Sequence, residues 1–151
     1  MVRGPKGVSF ERPGFNYRLT DLQAALGLTQ LPHLDAWISR RRELAAYYHQ
    51  RLQGLELTLP PLVAGHSWQS FMVRTPAQVN RDQLITALRA QGIESNIGAQ
   101  VTSELPYLDS EPRQRALSQS SLAIPLCERY DEPLLDRVAS ALAQALGPHL
   151  K

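Results

Sequence analysis

Apolar positions with helical spacing form the clearest pattern along the chain. Between Leu34 and Leu52 they recur at intervals of three and four residues, which predicts an amphipathic helix. A second stripe of this kind follows Asp131-Glu-Pro133 and stops at Gly147-Pro148. Proline suits the first turn of a helix, and glycine followed by proline ends one. We therefore expect two long helices, each with one face to bury.

Three further helices are predicted by their start signals. Thr20-Asp-Leu-Gln23 has the capping-box pattern, and the helix that it opens ends or kinks at Pro32. Asn80-Arg-Asp-Gln83 repeats the pattern of a cap followed three residues later by glutamine, and predicts a helix up to Gln91-Gly92. Pro112 favours the first turn of a helix over 112–120.

Strands are predicted where apolar and polar residues alternate. Alternation at 55–59 and, more strongly, at 67–74 predicts two strands. The short run at 93–97 predicts a third strand. The apolar run at 122–124 predicts either a strand or an extended link. The order of elements indicates an α+β fold, or α/β in the broad sense. We expect a small, mostly antiparallel sheet packed with helices on one face.

The composition is that of an ordinary globular domain. The chain has 151 residues, 43% apolar and 20% charged, a length that favours one domain with its own core. We expect this domain to span 19–151, after an irregular segment over 1–18 that is rich in glycine and proline. The single cysteine, Cys127, excludes an internal disulfide framework. No pair of histidines has the spacing of metal ligands, so the sequence predicts no metal.

Charge and hydropathy narrow the set of partners. A net charge of +2 is too small to indicate nucleic acid. The basic run Arg40-Arg-Arg42 is expected to form a solvated helix face with local ion pairs, for example to Glu43 or Asp35. No apolar run approaches the roughly 18 residues that span a bilayer, and the first ten residues do not have the pattern of a secretory signal. These features predict a cytoplasmic protein that binds neither nucleic acid nor membrane.

The most unusual stretch is Gly14-Phe-Asn-Tyr-Arg-Leu-Thr-Asp-Leu-Gln-Ala-Ala25. Asn16 and Arg18 stand just before a capped helix. An amide donor and a guanidinium beside a helix N-terminus suit an anion, above all a phosphate. Alternatively, Asn16 forms a turn and Arg18 caps a neighbouring element. The residues alone leave both interpretations open.

This stretch resembles the pattern Gly-Tyr-Asn-Tyr-Arg-Met-Thr-Asp-Leu-Gln-Ala-Ala of sugar aminotransferases of the DegT/StrS type, which are fold-type I pyridoxal-phosphate (PLP) enzymes. The resemblance continues in order along nearly the whole chain, at Arg41–Ala45, His66–Phe71, Leu84–Ile93 and Ile124–Leu126. It implies the fold of that family's C-terminal domain. It also implies a part in amination of a keto-sugar nucleotide, with an amino acid as donor and PLP as cofactor.

The resemblance implies roles for individual residues. In this family the asparagine of the motif reaches across a dimer interface to the phosphate of the partner subunit's PLP, and Asn16 matches it. Arg18 is close enough in sequence to share that contact. The family's substrate-contacting histidine falls near Gly98 here. The candidate substrate contacts are Tyr17, Asn96 and Gln100.

A PLP aminotransferase also needs a lysine that holds the cofactor as a Schiff base and shuttles a proton. The chain has only Lys6 and Lys151, and neither has the sequence context of that lysine. The resemblance therefore implies a truncated domain without catalytic residues, inactive alone. Its partner is a second copy in a homodimer or a separate N-terminal half-chain. The alternative is a non-catalytic interaction module derived from the same fold, which binds through the helices predicted over 21–31 and 34–52.

Overall fold

Four helices and four strands lie wholly within the described part of the chain. This computed structural model describes residues 2–4, 7–9, 14–98 and 119–147. The elements are β1 Val2–Gly4, β2 Gly7–Ser9, α1 Asp21–Gln30, α2 Leu34–Arg51, β3 Phe71–Arg74, α3 Arg81–Ala90, β4 Ser121–Ile124 and α4 Glu132–Leu146. A 3-10 turn, Leu31–His33, joins α1 to α2. Most of the helix predicted over 112–120 lies outside the described residues.

The central sheet is small and antiparallel, as the sequence predicts. Its two main strands pair Phe71 with Ile124, Met72 with Ala123, Val73 with Leu122 and Arg74 with Ser121. Single-residue bridges extend the sheet on both sides, from Thr58 to Arg74 and from Asn96 to Ala123. The strands predicted over 55–59 and 93–97 are therefore reduced to one paired residue each. The α+β architecture is confirmed.

The strand predicted over 67–74 begins only at Phe71, because the backbone turns at Trp68. Trp68 has φ +51, a left-handed conformation that is rare for a bulky residue. Its backbone N–H donates to His66 Nδ1 at 2.9 Å, and its indole stacks on Phe71 with ring centroids 5.6 Å apart. The turn brings the tryptophan into the core beside the strand instead of extending the strand.

The hydrophobic core lies between the sheet and helices α2, α3 and α4. Phe71 and Val73 alternate toward it from β3, and the buried faces of the helices complete it. Tyr48 of α2 packs on Phe71, with ring centroids 5.2 Å apart. The Tyr48 hydroxyl donates to the carbonyl oxygen of Pro125 at 2.8 Å. Burial raises the pKa of Tyr48 well above its usual value. The buried hydroxyl thus remains protonated and joins α2 to the end of β4.

Side-chain caps start α1, α3 and α4, whereas α2 begins without one. Thr20 Oγ1 accepts from Gln23 N at 3.3 Å, and Gln23 Oε1 accepts from Thr20 N at 2.9 Å, which completes the capping box of α1. At α3, Asn80 Oδ1 accepts from Asp82 N at 3.0 Å and Gln83 N at 3.1 Å. At this helix start the Asn80 side chain accepts both hydrogen bonds, and the Gln83 side chain does not bond back to the Asn80 backbone.

The arginines of the basic run at 40–42 contact four different residues, and one of these contacts is a bond of 3.2 Å from Arg40 to the carbonyl of Tyr130. Its first arginine pairs with Glu43 at 3.0 Å, which confirms a local ion pair. Its second pairs at 2.8 Å with Glu128, beyond β4, and its third donates to the carbonyl of His66 at 3.3 Å. The run therefore links α2 to two loops, in addition to forming a solvated face.

The first strands form a hairpin that the sequence does not predict. β1 and β2 are antiparallel, with Val2 opposite Ser9 and Gly4 opposite Gly7. The glycine- and proline-rich pattern predicts an irregular segment over 1–18, and it does not predict this pairing.

Candidate functional site

The motif at 14–25 lies on an exposed segment, residues 14–33, that we call the arm. Every arm residue except Ala24 is exposed, and α1 buries no residue. Its large exposed apolar side chains are Phe15, Tyr17, Leu19, Leu22, Leu26, Leu28 and Leu31. A capped helix with a fully exposed apolar surface indicates a surface that another molecule or segment covers.

Asn16 and Arg18 form a tight turn just before α1. Asn16 Oδ1 accepts from the backbone N–H of Arg18 at 3.0 Å. Arg18 has φ +57, in the left-handed region that costs about 1–2 kcal/mol for a residue with a side chain. The alternative in which Asn16 forms a turn is therefore observed. Within the described part of the chain, the Arg18 side chain caps no neighbouring element.

This turn leaves two hydrogen-bond donors facing solvent. The Asn16 carbonyl oxygen accepts from Arg18 N, and its amide nitrogen has no partner among the described residues. The Arg18 guanidinium makes no hydrogen bond or ion pair to any described residue. An amide donor and a charged fork two residues apart match the acceptor oxygens of a phosphate. The residues present therefore fit the phosphate group of PLP.

A second corner surrounds Asn96, at the edge of the sheet. The backbone of Asn96 pairs with Ala123 through bonds of 3.2 and 2.8 Å, and its Oδ1 accepts from Gly98 N at 2.6 Å. Gly98 has φ +75, and a Cβ there would overlap the Cε of Met72 and lie 2.6 Å from its sulfur. A side chain at position 98 is therefore excluded unless Met72 moves. Gln100 lies outside the described residues.

The two groups of predicted site residues stand apart. Among the described residues, no hydrogen bond or ring contact joins residues 16–18 to Asn96. Among the described residues, the one ring contact of Tyr17 is with Phe15, with centroids 6.2 Å apart, and Tyr17 is 87% exposed. The role of Met72 beside Gly98 was missed at the sequence level. In the sequence, Met72 is marked only by its place between Phe71 and Val73, on the opposite face of the alternating strand pattern.

The described residues contain neither a cluster of metal-binding side chains nor a helix that could span a membrane. Within 14–98 and 119–147, no three His, Cys, Asp or Glu side chains cluster so that they could hold a metal ion. None of the described helices is both long and apolar enough to traverse a bilayer. Cys127 lies beside the Glu128 carboxylate, whose pKa is held below its usual value by its own backbone N–H and by Arg41.

Solved structures of known proteins share this fold. One is the aminotransferase TlmJ from Streptoalloteichus hindustanus, with 25% identity and a TM-score of 0.76 over 87% of this chain. Another is DesV from S. venezuelae, solved in complex with a ketimine intermediate, with 33% identity and a TM-score of 0.69 over 89% of this chain. NtdA from Bacillus subtilis, solved with bound cofactor PMP, matches 89% at 23% identity and a TM-score of 0.70, and this likeness shows the fold alone.

This chain spans 37% of TlmJ, 38% of DesV and 34% of NtdA, so it matches little more than a third of each of these proteins. The sequence profile of the DegT/DnrJ/EryC1/StrS aminotransferase family matches residues 2–143, nearly the whole chain. The chain therefore belongs to the DegT/DnrJ/EryC1/StrS aminotransferase family.

Proposed function

We propose that this chain is the C-terminal part of a PLP-dependent aminotransferase that transfers an amino group from an amino acid to a keto-sugar nucleotide. The domain spans 19–151. Family membership and the likeness to DesV support this function. The observation that carries it is the turn at Asn16 and Arg18, which presents two donors to solvent on the family's ungapped motif.

The arm binds the cofactor's phosphate in this proposal. When bound, PLP supplies the electron sink that lets an amino group leave one carbon and join another. Asn16 donates through its amide nitrogen, and Arg18 contributes positive charge. The hydrogen bond from Arg18 N to Asn16 Oδ1 keeps the carbonyl oxygen turned away from the phosphate. Both residues are exposed, which favours a phosphate held by a partner subunit.

The apolar surface of the arm is the proposed interface. Leu22 is 75% exposed and Leu26 is 61% exposed, one turn apart on α1. Burial of such side chains in an assembly stabilises it by about 1.5–3 kcal/mol for each leucine. The partner is a second copy of the enzyme in a homodimer or a separate chain that carries the N-terminal half.

The corner at Asn96 is the proposed substrate contact, together with Tyr17 and Gln100. Asn96 Oδ1 accepts from Gly98 N, which orients the side chain, and its amide nitrogen is a donor for a sugar hydroxyl. Position 98 carries no side chain. Substrate recognition at this corner therefore uses a neutral amide where the family pattern has an imidazole.

A chimera tests the function directly. This chain replaces the matching region of DesV, and amino transfer from glutamate to a keto-sugar nucleotide is measured. We expect activity to be retained and to fall at least about tenfold in N16D, because a carboxylate keeps the turn but repels the phosphate. Asn80→Asp, at the cap of α3, is the matched control and should leave activity unchanged. A folded, dimeric chimera without activity favours the interaction module instead.

Absorption spectroscopy on the 151-residue chain tests where the catalytic lysine lies. Lys6 and Lys151 both fall outside the described residues, and neither sequence context matches the family's lysine. We expect PLP added to this chain to give no visible band typical of a lysine-bound cofactor. A band that Lys6→Ala abolishes would place the cofactor lysine in this chain and contradict the proposal.

A further inference from the structure

Three turns within the described part of the chain share one geometry. In each turn a side chain accepts a hydrogen bond from the backbone N–H two residues later, and that later residue has a positive φ. In two of them the acceptor is an asparagine: Asn16 accepts from Arg18 at 3.0 Å, and Asn96 accepts from Gly98 at 2.6 Å. An asparagine side chain carries no titratable proton, so neither bond responds to pH.

The third turn has a histidine, His66, as its acceptor. Its Nδ1 accepts from the backbone N–H of Trp68 at 2.9 Å, and Trp68 has φ +51. The imidazole and indole rings are also in contact, with centroids 4.3 Å apart. A ring nitrogen that accepts a hydrogen bond carries no proton, so this bond requires the neutral imidazole with its proton on Nε2. Of the three turns, this is the one that protonation breaks.

No described carboxylate holds a proton on His66. The ion pairs of the described residues do not include this imidazole. From α2, the guanidinium of Arg42 donates through Nε to the carbonyl of His66 at 3.3 Å, and the neighbouring Glu43 is paired with Arg40. The sequence from 59 to 71, which contains the turn, has no charged residue. A cation is therefore the charged group that meets His66 from α2.

The turn holds the chain in place at the start of β3. Trp68 is 3% exposed, and its indole stacks on Phe71, the first residue of the strand. Between these two rings lie Gln69 and Ser70, which line a groove of about 400 Å³ at the end of the central sheet. A change at Trp68 therefore reaches the rim of this groove.

We infer that His66 makes the turn at Trp68 sensitive to pH, closing it when the imidazole is neutral and releasing the Trp68 N–H when the imidazole is protonated. A proton on Nδ1 takes the lone pair that accepts the bond, so two N–H groups then face each other. Water does not readily replace the lost acceptor, because Trp68 is almost fully buried. Its left-handed backbone then lacks the bond that supports it.

The direction of the effect follows from which state binds the proton. The open turn accepts a proton on Nδ1 and the closed turn does not, so the closed turn is favoured at high pH. It is lost as pH falls through the range of about 8 to 5 in which histidines change charge. The indole face attracts a cation, which keeps the charged imidazole beside Trp68 while the hydrogen bond is lost. This inference is independent of the proposed aminotransferase function.

Hydrogen exchange of the Trp68 amide, followed by two-dimensional NMR on the 151-residue chain, tests the inference. Protection is the measured exchange rate relative to the rate of an unstructured peptide at the same pH. Between about pH 7.5 and pH 5 we expect the protection of Trp68 to fall at least about fivefold, the factor that one net hydrogen bond contributes. The amide resonances of Gln69 and Ser70 should shift over the same range.

Variants assign the pH response to one side chain. His66→Asn supplies an acceptor that does not titrate, as Asn16 does in the arm, and should give a protection of Trp68 that is the same at both pH values. His66→Ala removes the acceptor and should give low protection at both. His33→Asn is the matched control. His33 is also an exposed histidine beside a tryptophan, with no side-chain hydrogen bond to a described residue, and its variant should respond to pH as wild type does.

Three results would overturn the inference. The first is equal protection of Trp68 at both pH values in wild type, which can be measured even if a variant fails to fold. The second is a full pH response in His66→Asn. The third is loss of the response in His33→Asn, which would assign the titration to another part of the chain.

Discussion

At the scale of single residues, Gly54 and Gly98 share a left-handed backbone but differ in their surroundings. Gly54 has φ +88 with no atom within 4 Å of an added Cβ, whereas Gly98 has φ +75 and lies against Met72. Alanine at either position costs about 1–2 kcal/mol in backbone strain. We expect Gly98→Ala to lower the free energy of unfolding by more than Gly54→Ala, measured by urea denaturation.

A second substitution separates the overlap from the strain. Met72→Ala removes the atoms that a Cβ at position 98 would overlap. It should therefore recover part of the loss in Gly98→Ala but none of the loss in Gly54→Ala. Equal effects of the two glycine substitutions would contradict the close contact at Met72.

Two buried hydroxyls give a second comparison at this scale. Within the described residues, Ser95 Oγ is buried without a hydrogen-bond partner. Thr75 Oγ1 donates to the carbonyl of Ser120 at 3.3 Å. A buried polar group without a partner costs about 1–3 kcal/mol. We expect Ser95→Ala to keep or raise the free energy of unfolding and Thr75→Val to lower it by about 1 kcal/mol. A loss in Ser95→Ala as large as that in Thr75→Val would contradict this assignment.

At the scale of elements, the ion pair between α2 and the loop after β4 makes stability depend on pH. Glu128 is 14% exposed and pairs with Arg41 at 2.8 Å. Its backbone N–H and Arg41 lower its pKa from the usual 4.5. The folded state thus releases this proton more readily than the unfolded state. The pair therefore stabilises the fold above about pH 4.5, and this contribution is lost as pH falls through the lowered value.

We expect Glu128→Gln to lower the free energy of unfolding at neutral pH, with a difference from wild type that shrinks below pH 4.5. The measurement is thermal unfolding from pH 7 to pH 3. Glu43→Gln is the matched control, because its pair with Arg40 is solvent-exposed and contributes little. A pH-independent difference would show that Glu128 acts through packing instead.

Among the described elements, the helices were predictable from the sequence, whereas the strands were predictable only in part. The caps at Thr20, Asn80 and Asp131 act locally, so the residues that start α1, α3 and α4 are close in sequence. Strand bounds depend on partners distant in sequence. The alternation at 67–74 includes Trp68, but the bond from its N–H to His66 turns the backbone there. The preference of individual residues for an extended backbone does not predict such a turn.

At the scale of the whole molecule, the apolar arm predicts association. We expect the double variant Leu22→Gln/Leu26→Gln to lower the average mass seen by light scattering toward that of one chain. At a concentration where wild type is also a single chain, its unfolding midpoint should match that of wild type, because both side chains are exposed within one chain. Leu142→Ala, fully buried in α4, is the control and should cost about 2–5 kcal/mol. Unaltered association in the arm variant would place the interface elsewhere.

The candidate site was predictable only where its residues are neighbours in sequence. Asn16 and Arg18 stand two residues apart, and both their spacing and their donor chemistry can be read from the motif. The close approach of Met72 on β3 to Gly98, which follows the bridge at Asn96, depends on sheet register.

The capping box of α1 has a consequence for how the arm meets its partner. A helix of ten residues without buried contacts is close to the limit at which nucleation cost outweighs propagation. The reciprocal bonds of Thr20 and Gln23 shift that balance toward the formed helix. The arm thus loses part of its conformational entropy in the free chain, before it meets a partner. The arm then meets its partner as a preformed ridge, and less of the binding free energy is spent on folding it.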